Sequence, residues 1–365
     1  MWRERMYEAA AVLEPETYEA LATAVYAEMA LAGITTVGEF HYLHHQTDGV
    51  PYDDRNEMGH ALIRAARAAG IRIALLDAGY LTAGFDGAKL DPVQTRFSDG
   101  TAGAWLDRVA ELNERYPDQP DVVIGLAPHS VRAVPESGLA RVAQSRHDTT
   151  PVHIHVSEQP AENRDCLAVT GTTPTGLLDR VGLLGPTTTL VHATHLTDTD
   201  IATIGQASAT VCYCATTERD LADGIGPAGD LDRAGARLCV GSDSHAVIDI
   251  FEEARAIELH TRLASGRRGH FAPAALLAAA SGEGSRSLGF TGGGLEVGSP
   301  ADFVVVDTDS PRLAGMADDT ALDSIVFAAT SADVTDVFVG GRHIVSARSH
   351  PAWDAAKETW SGYAH

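Results

Sequence analysis

Nowhere in the 365 residues does an apolar run approach the ~20 residues that a membrane-spanning helix needs. The opening M-W-R-E-R-M-Y has no apolar core of the signal-peptide kind, so a cytoplasmic location is expected. Positive charge is scarce: 27 Lys and Arg face 50 Asp and Glu, a net charge of -23. That balance argues against nucleic acid or an anionic membrane as partner, and it favours solubility. Cysteine is scarce as well. Cys166, Cys212, Cys214 and Cys239 fit no disulfide framework, and three of them fall in strand-like runs, as reduced buried thiols would. Cys212-x-Cys214 has no second pair at metal-binding spacing and reads as two thiols on one strand face. Internal repeats and low-complexity tails are absent too.

What is there is a long alternation of apolar strands and helices. Strands are expected at 34–40, 71–80, 121–127, 151–157, 188–193, 209–214 and 237–243. Between and after them, helices are expected at 15–31, 57–69, 103–115, 136–145, 174–182, 198–205, 249–264 and 273–288. Pro15 suits a first helical turn, and Gly33 and Gly70 suit helix ends. Alternation of this length means an α/β fold with a parallel sheet, here a TIM-like barrel. A closed barrel of this type has eight strands, and the chain opens on a helix or loop instead. The first strand is therefore expected to be absent. Past residue 290 the character changes to short β segments with Gly turns, 292–307 and 334–345. The expected division is a barrel over 1–290 and part of a small β-sandwich domain over 291–365.

Several strands end in groups that can do chemistry. In P-V-H-I-H-V-S-E (151–158), Val152, Ile154 and Val156 alternate with His153 and His155, placing both histidines on one face. L-V-H-A-T-H (190–195), L-C-V-G-S-D-S-H (238–245), V-G-E-F-H-Y (37–42) and I-G-L-A-P-H-S (124–130) repeat the design. Polar groups at the C-terminal ends of successive strands are how a parallel barrel builds an active site, so an enzyme is expected. His155, His192 and Asp243 offer imidazole and carboxylate, which suit Zn²⁺ or Fe²⁺ at an open, water-bearing site. A carboxylate beside such a water can take its proton and pass it to a leaving amine. His153 lies one layer deeper and reads as structural. His195 reads as a loop residue, and His41, His44 and His45 as members of a solvated loop.

P-H-S-V-R, H-I-H-V-S-E-Q, L-V-H-A-T-H-L and G-S-D-S-H, in this order, resemble the amidohydrolase superfamily. The tail G-x-L-E-V-G-S-P-A-D-F-V-V-V-D resembles its deaminase branch. E-F-H-Y-L-H-H (39–45), G-L-A-P-H-S-V-R-A-V-P (125–135), H-I-H-V-S-E-Q (153–159) and T-T-E-R-D-L-A-D-G-I (216–225) resemble the formimidoylglutamate deiminases of histidine degradation. The resemblance covers essentially the whole chain. It implies hydrolysis of N-formimino-L-glutamate to N-formyl-L-glutamate and ammonia, with one divalent metal, zinc or else iron.

It also implies roles. His155 and Asp243 would hold the metal, and Asp243 would shuttle the proton of the attacking water. His192 would polarise the group under attack, and Glu158 would contact the formimino nitrogen. Arg132 and His129, with Tyr42 and Arg5 as further candidates, would hold substrate carboxylates, which guanidinium groups bind bidentately. A soluble homodimer acting on a small carboxylate-bearing molecule is expected. The family's first strand carries a His-x-His metal pair, and none precedes residue 34. Two alternatives stay open: a superfamily deaminase acting on a purine-like ring, and a binding protein that has kept the pocket but lost its metal.

Overall fold

The computed structural model describes residues 2–361. Seven parallel strands form one sheet in strict chain order: β1 (Thr36–His41), β2 (Arg72–Gly79), β3 (Val122–Pro128), β4 (Val152–Val156), β5 (Thr188–His192), β6 (Thr210–Tyr213) and β7 (Arg237–Val240). Each expected strand is present, with ends shifted by at most three residues. The sheet curls as an open TIM-like barrel, and among the described residues β1 and β7 are its two edges, unpaired with each other. Among the described residues this sheet has the seven strands expected.

Side-chain alternation explains the curl. Along β2, Ile73 and Leu75 pack outward in the main core, while Ala74, Leu76 and Ala78 point inward and meet Ala127 and Leu288. Small inward residues let the strands approach across a narrow interior. Glycine marks two close approaches. A Cβ on Gly79 would lie 2.6 Å from a Trp105 ring carbon, and one on Gly38 would lie 2.5 Å from Leu288.

The covering helices begin and end where local chemistry dictates. Pro15–Leu31 starts with Pro15, and the Glu14 backbone N–H donates to Thr17 Oγ1 at 3.0 Å. Glu57–Ala69 ends on Gly70 at φ 80, a left-handed cap that only glycine adopts without steric strain. One expected helix, 273–288, is in fact two, Pro273–Ala279 and Gly282–Ser287. The break falls where Gly293 crosses so closely that a Cβ on it would lie 2.5 Å from the Gly282 Cα. Helix Pro160–Thr170 was not expected, although Pro160 and the left-handed Gly171 bracket it as start and stop signals.

At the C-terminus, β8 (Phe303–Val306), β9 (Val334–Val339) and β10 (Arg342–Val345) make an antiparallel sheet in the order β10–β9–β8. Gly340 and Gly341, at φ 56 and 75, form the tight β9–β10 turn. Rings of Phe303, Phe338 and His343 stack on one face. The sheet packs against Pro15–Leu31 and is tied to β2 by Arg72, whose guanidinium donates to Asp302 at 2.9 Å. Helices Ala321–Ala328 and Pro351–Ser361 complete this region. Among the described residues no helix is long and apolar enough to cross a membrane.

Candidate active site

Residues at the C-terminal ends of all seven parallel strands line one cavity of about 1260 Å³. Tyr42 follows β1, Tyr80 follows β2, and His129 and Arg132 follow β3; His155 and Glu158 come from β4, His192 from β5, Cys214 from β6 and Asp243 from the loop after β7. The cavity continues between the two sheet edges, past Gly38, Cys239, Val240 and Leu288.

Several of these strand ends are strained. Ser157, His192, Ala193 and Asp243 hold φ values of 52, 70, 50 and 52, a left-handed conformation costly for residues with a Cβ. Such conformations persist where surrounding structure over-determines them, and they cluster at functional sites. Here they turn the backbone just where each strand presents its side chain to the cavity.

Each key histidine is fixed through one ring nitrogen. His155 Nδ1 donates to the His129 carbonyl at 2.8 Å, and His192 Nδ1 meets Glu218 Oε1 at 3.2 Å. Both rings thereby direct Nε2 toward the cavity, and they stack with centroids 5.6 Å apart. His192 Nε2 stands 3.7 Å from Asp243 Oδ2 and 4.0 Å from Glu158 Oε1. An imidazole whose far nitrogen is held by a carboxylate or carbonyl is the usual preparation of a metal-binding histidine. Imidazole, carboxylate and the nearby Cys214 thiol make a donor set that fits a divalent cation, with His155 and Asp243 as its expected holders.

Electrostatics separate the two rings. Burial pushes the His155 pKa down, and the neighbouring His192 pushes the same way. Burial also opposes charge on His192, but the Glu218 hydrogen bond and the Asp243 and Glu158 carboxylates outweigh it and raise its pKa to about 9. Tyr42 is held well above its ordinary value by burial and then by the charges of Asp243 and Glu158. Its ring meets His129 edge-on at 5.3 Å.

Arg132 is the cation of this wall. Its Nε lies 3.4 Å from Glu162 Oε2 and its Nη2 lies 3.8 Å from Glu158 Oε2, with about a third of the side chain exposed. The structure thus brings together Tyr42, His129, Arg132, His155, Glu158, His192 and Asp243. Arg5 stands apart from this group. It touches the cavity only at the rim, is 81% exposed and pairs with Glu8 at 2.8 Å.

The remaining histidines divide. His153 lies below His155 with Nε2 at 2.9 Å from the Ser287 carbonyl, a structural role as expected. His195 lies past β5 and bonds the Asp223 carbonyl at 2.7 Å. The expectation of a solvated loop at His41, His44 and His45 is overturned, since their exposures are 1%, 1% and 2%. Backbone N–H groups of His44 and His45 donate to the Arg96 carbonyl, and His45 Nε2 lies 3.4 Å from Asp99. Partners some 50 residues away make this a core, which local polarity conceals. His41, His44 and Asp77 are close enough to hold a cation, but Arg108 already donates to both Asp77 oxygens at 2.7 and 2.8 Å. Trp105 Nε1 donates there as well, so Asp77 is satisfied by fixed positive donors.

Sequence reading gave no role to Glu218, Glu162 or Cys214. Glu218 lies inside T-T-E-R-D, a stretch noticed for its resemblance alone, and its oxygen also accepts from the Cys214 N–H at 3.0 Å.

The amidohydrolase family model matches residues 2–344. The chain belongs to the amidohydrolase family. It is 39% identical over 357 residues to a formimidoylglutamate deiminase of Pseudomonas aeruginosa, covering 96% of this chain and 78% of that protein. An 8-oxoguanine deaminase of the same species is 32% identical, covering 93% and 74%. Among solved structures, an amidohydrolase of Brucella melitensis superposes with a TM-score of 0.91 at 36% identity, covering 99% of this chain and 81% of that one. A zinc-bound adenosine deaminase of Xanthomonas campestris superposes at 0.81 and 27% identity, covering 97% and 76%. This amidohydrolase is a metal-dependent hydrolase of C–N bonds.

Proposed function

We propose that this amidohydrolase deiminates N-formimino-L-glutamate, giving N-formyl-L-glutamate and ammonia. One observation carries the reading: a guanidinium, Arg132, shares the cavity wall with the reacting carboxylates Glu158 and Asp243. A glutamate-derived substrate needs such a carboxylate anchor beside its reacting end. The 39% identity to a formimidoylglutamate deiminase supports the same choice.

His155 and Asp243 would hold the cation, and zinc suits imidazole and carboxylate donors at an open site. When bound, the cation supplies Lewis acidity that makes water nucleophilic near neutral pH. Asp243 takes the proton of the attacking water as oxygen joins the formimino carbon. Glu158 faces the terminal nitrogen and delivers protons to it, so that the C–N bond breaks and ammonia leaves. His192, charged through Glu218, steadies the negative charge that develops. Arg132, with His129 and Tyr42, anchors a substrate carboxylate, and the strained strand ends keep these groups aligned.

A second reading has its own observation. Phe40, Tyr42, Tyr80 and Phe97 crowd the cavity mouth, with ring centroids 5.3–6.0 Å apart along the chain of contacts. Such a surface would also stack a purine ring, as an 8-oxoguanine deaminase requires. The test is ammonia release by zinc-supplemented protein from N-formimino-L-glutamate, 8-oxoguanine and 5′-methylthioadenosine side by side. Selective turnover of the first is expected. Preference for either purine would overturn the assignment.

A further inference from the structure

Cys212, Cys214 and Cys239 line the cavity and are unused by this reaction, yet one of them is built into the site. Cys214, at the end of β6, is 2% exposed and lines the same cavity. Its sulfur, a His192 ring nitrogen and an Asp243 oxygen all lie within 4.8 Å of one another. A single buried carboxylate sets this geometry, because Glu218 Oε1 accepts from the Cys214 backbone N–H at 3.0 Å and from His192 Nδ1 at 3.2 Å. Gly241 leaves the room, for a Cβ there would lie 3.4 Å from the Cys214 sulfur.

We propose that His192, Cys214 and Asp243 form a second cation position, thiolate-bearing and inhibitory, beside the hydrolytic position of His155 and Asp243. The inference rests on the roles given above to His192 and Asp243. A sulfur donor beside imidazole selects soft and borderline divalent cations such as Cd²⁺, Co²⁺ and Zn²⁺ over Mg²⁺ or Ca²⁺. Binding replaces the S–H bond with a sulfur–metal bond and takes the place of the His192 Nε2 proton, so the thiol and the charged imidazole each release one proton to solvent. It occupies the His192 nitrogen and draws the Asp243 carboxylate away from the attacking water. Deimination therefore stops while the hydrolytic cation stays in place. The two positions share Asp243, so filling one alters the other.

The metal alone is the probe. Metal-free protein is titrated with Cd²⁺ and with Co²⁺, and the near-ultraviolet sulfur-to-metal charge-transfer band is recorded. The band is expected in the wild type and in Cys212→Ser and Cys239→Ser, and is expected to vanish in Cys214→Ser. Inhibition of the zinc-loaded enzyme by Cd²⁺ should need at least about tenfold more cation in Cys214→Ser, as loss of a ligand costs at least what loss of its supporting partner does. No band in the wild type, or a band that survives in Cys214→Ser, overturns the thiolate position. If Cys214→Ser does not fold, loss of the band in His192→Ala supports the proposal and its persistence there overturns it. Turnover of N-formimino-L-glutamate without the band overturns this position and leaves the proposed reaction intact. The band without turnover does the reverse.

Discussion

Arg132 and Glu162 stand 3.4 Å apart, Nε to Oε2, with the carboxylate almost wholly buried and the guanidinium about one-third exposed. Glu162 sits in the first turn of the helix that begins just after Glu158, so the two carboxylates flank the same guanidinium from one stretch of chain. The buried partner fixes the stem of Arg132 and leaves its open end to the cavity. Arg132→Ala should therefore weaken substrate binding by about 1.5–3 kcal/mol, the range for a hydrogen bond to a charged group. That corresponds to a KM raised by roughly one to two orders of magnitude, with kcat changed much less. Steady-state kinetics on N-formimino-L-glutamate decide it, and an unchanged KM would remove Arg132 from carboxylate binding.

Glu162 itself makes stability depend on pH. Burial raises its pKa from 4.5 to about 7, against the opposing pull of Arg132. A carboxyl that holds its proton more tightly when folded stabilises the fold fully below its unfolded pKa. That contribution is lost as pH rises through the folded value. The window is thus about pH 4.5 to 7, and the amount is on the order of 3 kcal/mol at most. Glu162→Gln stays neutral throughout, so its stability relative to the wild type should climb across that window. Urea unfolding at a series of pH values measures the difference, and a flat difference would contradict the shift.

The strands and the first line of chemistry were legible because both are local. Val152, Ile154 and Val156 declare a buried strand whatever surrounds it, and His155 and Asp243 sit at strand ends where a parallel barrel places its active site. His41, His44 and His45 were misread because their partners, Arg96 and Asp99, are some 50 residues away, and polarity alone mimics a solvated loop. The Glu218–His192 contact spans 26 residues and joins the end of β5 to the helix after β6, so no spacing rule announces it. Cys214 reads from the sequence as an inert thiol for the same reason. Strand pairing, which sets β6 between β5 and β7, is what brings Cys214 beside His192 and Asp243.

Asp243 is assigned two duties, cation holding and proton transfer, and its replacement separates chemistry from folding. Asparagine tolerates the left-handed backbone of this position, φ 52, better than most residues do. Asp243→Asn should keep the wild-type circular dichroism spectrum and unfolding midpoint. Its turnover should fall by at least about 100-fold, since a positioned general base alone supplies that much. Near-normal turnover in a properly folded variant would rule out the assigned shuttle.

The last prediction concerns the support under β2. Asp77 and Arg108 are 0% and 1% exposed, and the guanidinium donates to both carboxylate oxygens while its Nε reaches Asp99 at 2.9 Å. Burial alone would raise the Asp77 pKa, but Arg108 and the neighbouring His44 hold it below the usual carboxylate range. In the wild type this pair therefore stabilises the fold above the unfolded carboxylate pKa and loses that effect in acid. Arg108→Met leaves Asp77 buried with the Trp105 N–H as its remaining strong donor. Removing one partner of a buried ion pair costs about 3–5 kcal/mol. The pH trend should also reverse, because an unpaired buried carboxylate is least harmful when protonated. Denaturant midpoints for Arg108→Met are thus expected to fall sharply at neutral pH and to recover partly toward about pH 5. A variant as stable as the wild type at neutral pH would show that the helix carrying Trp105 holds β2 without help from the charge pair.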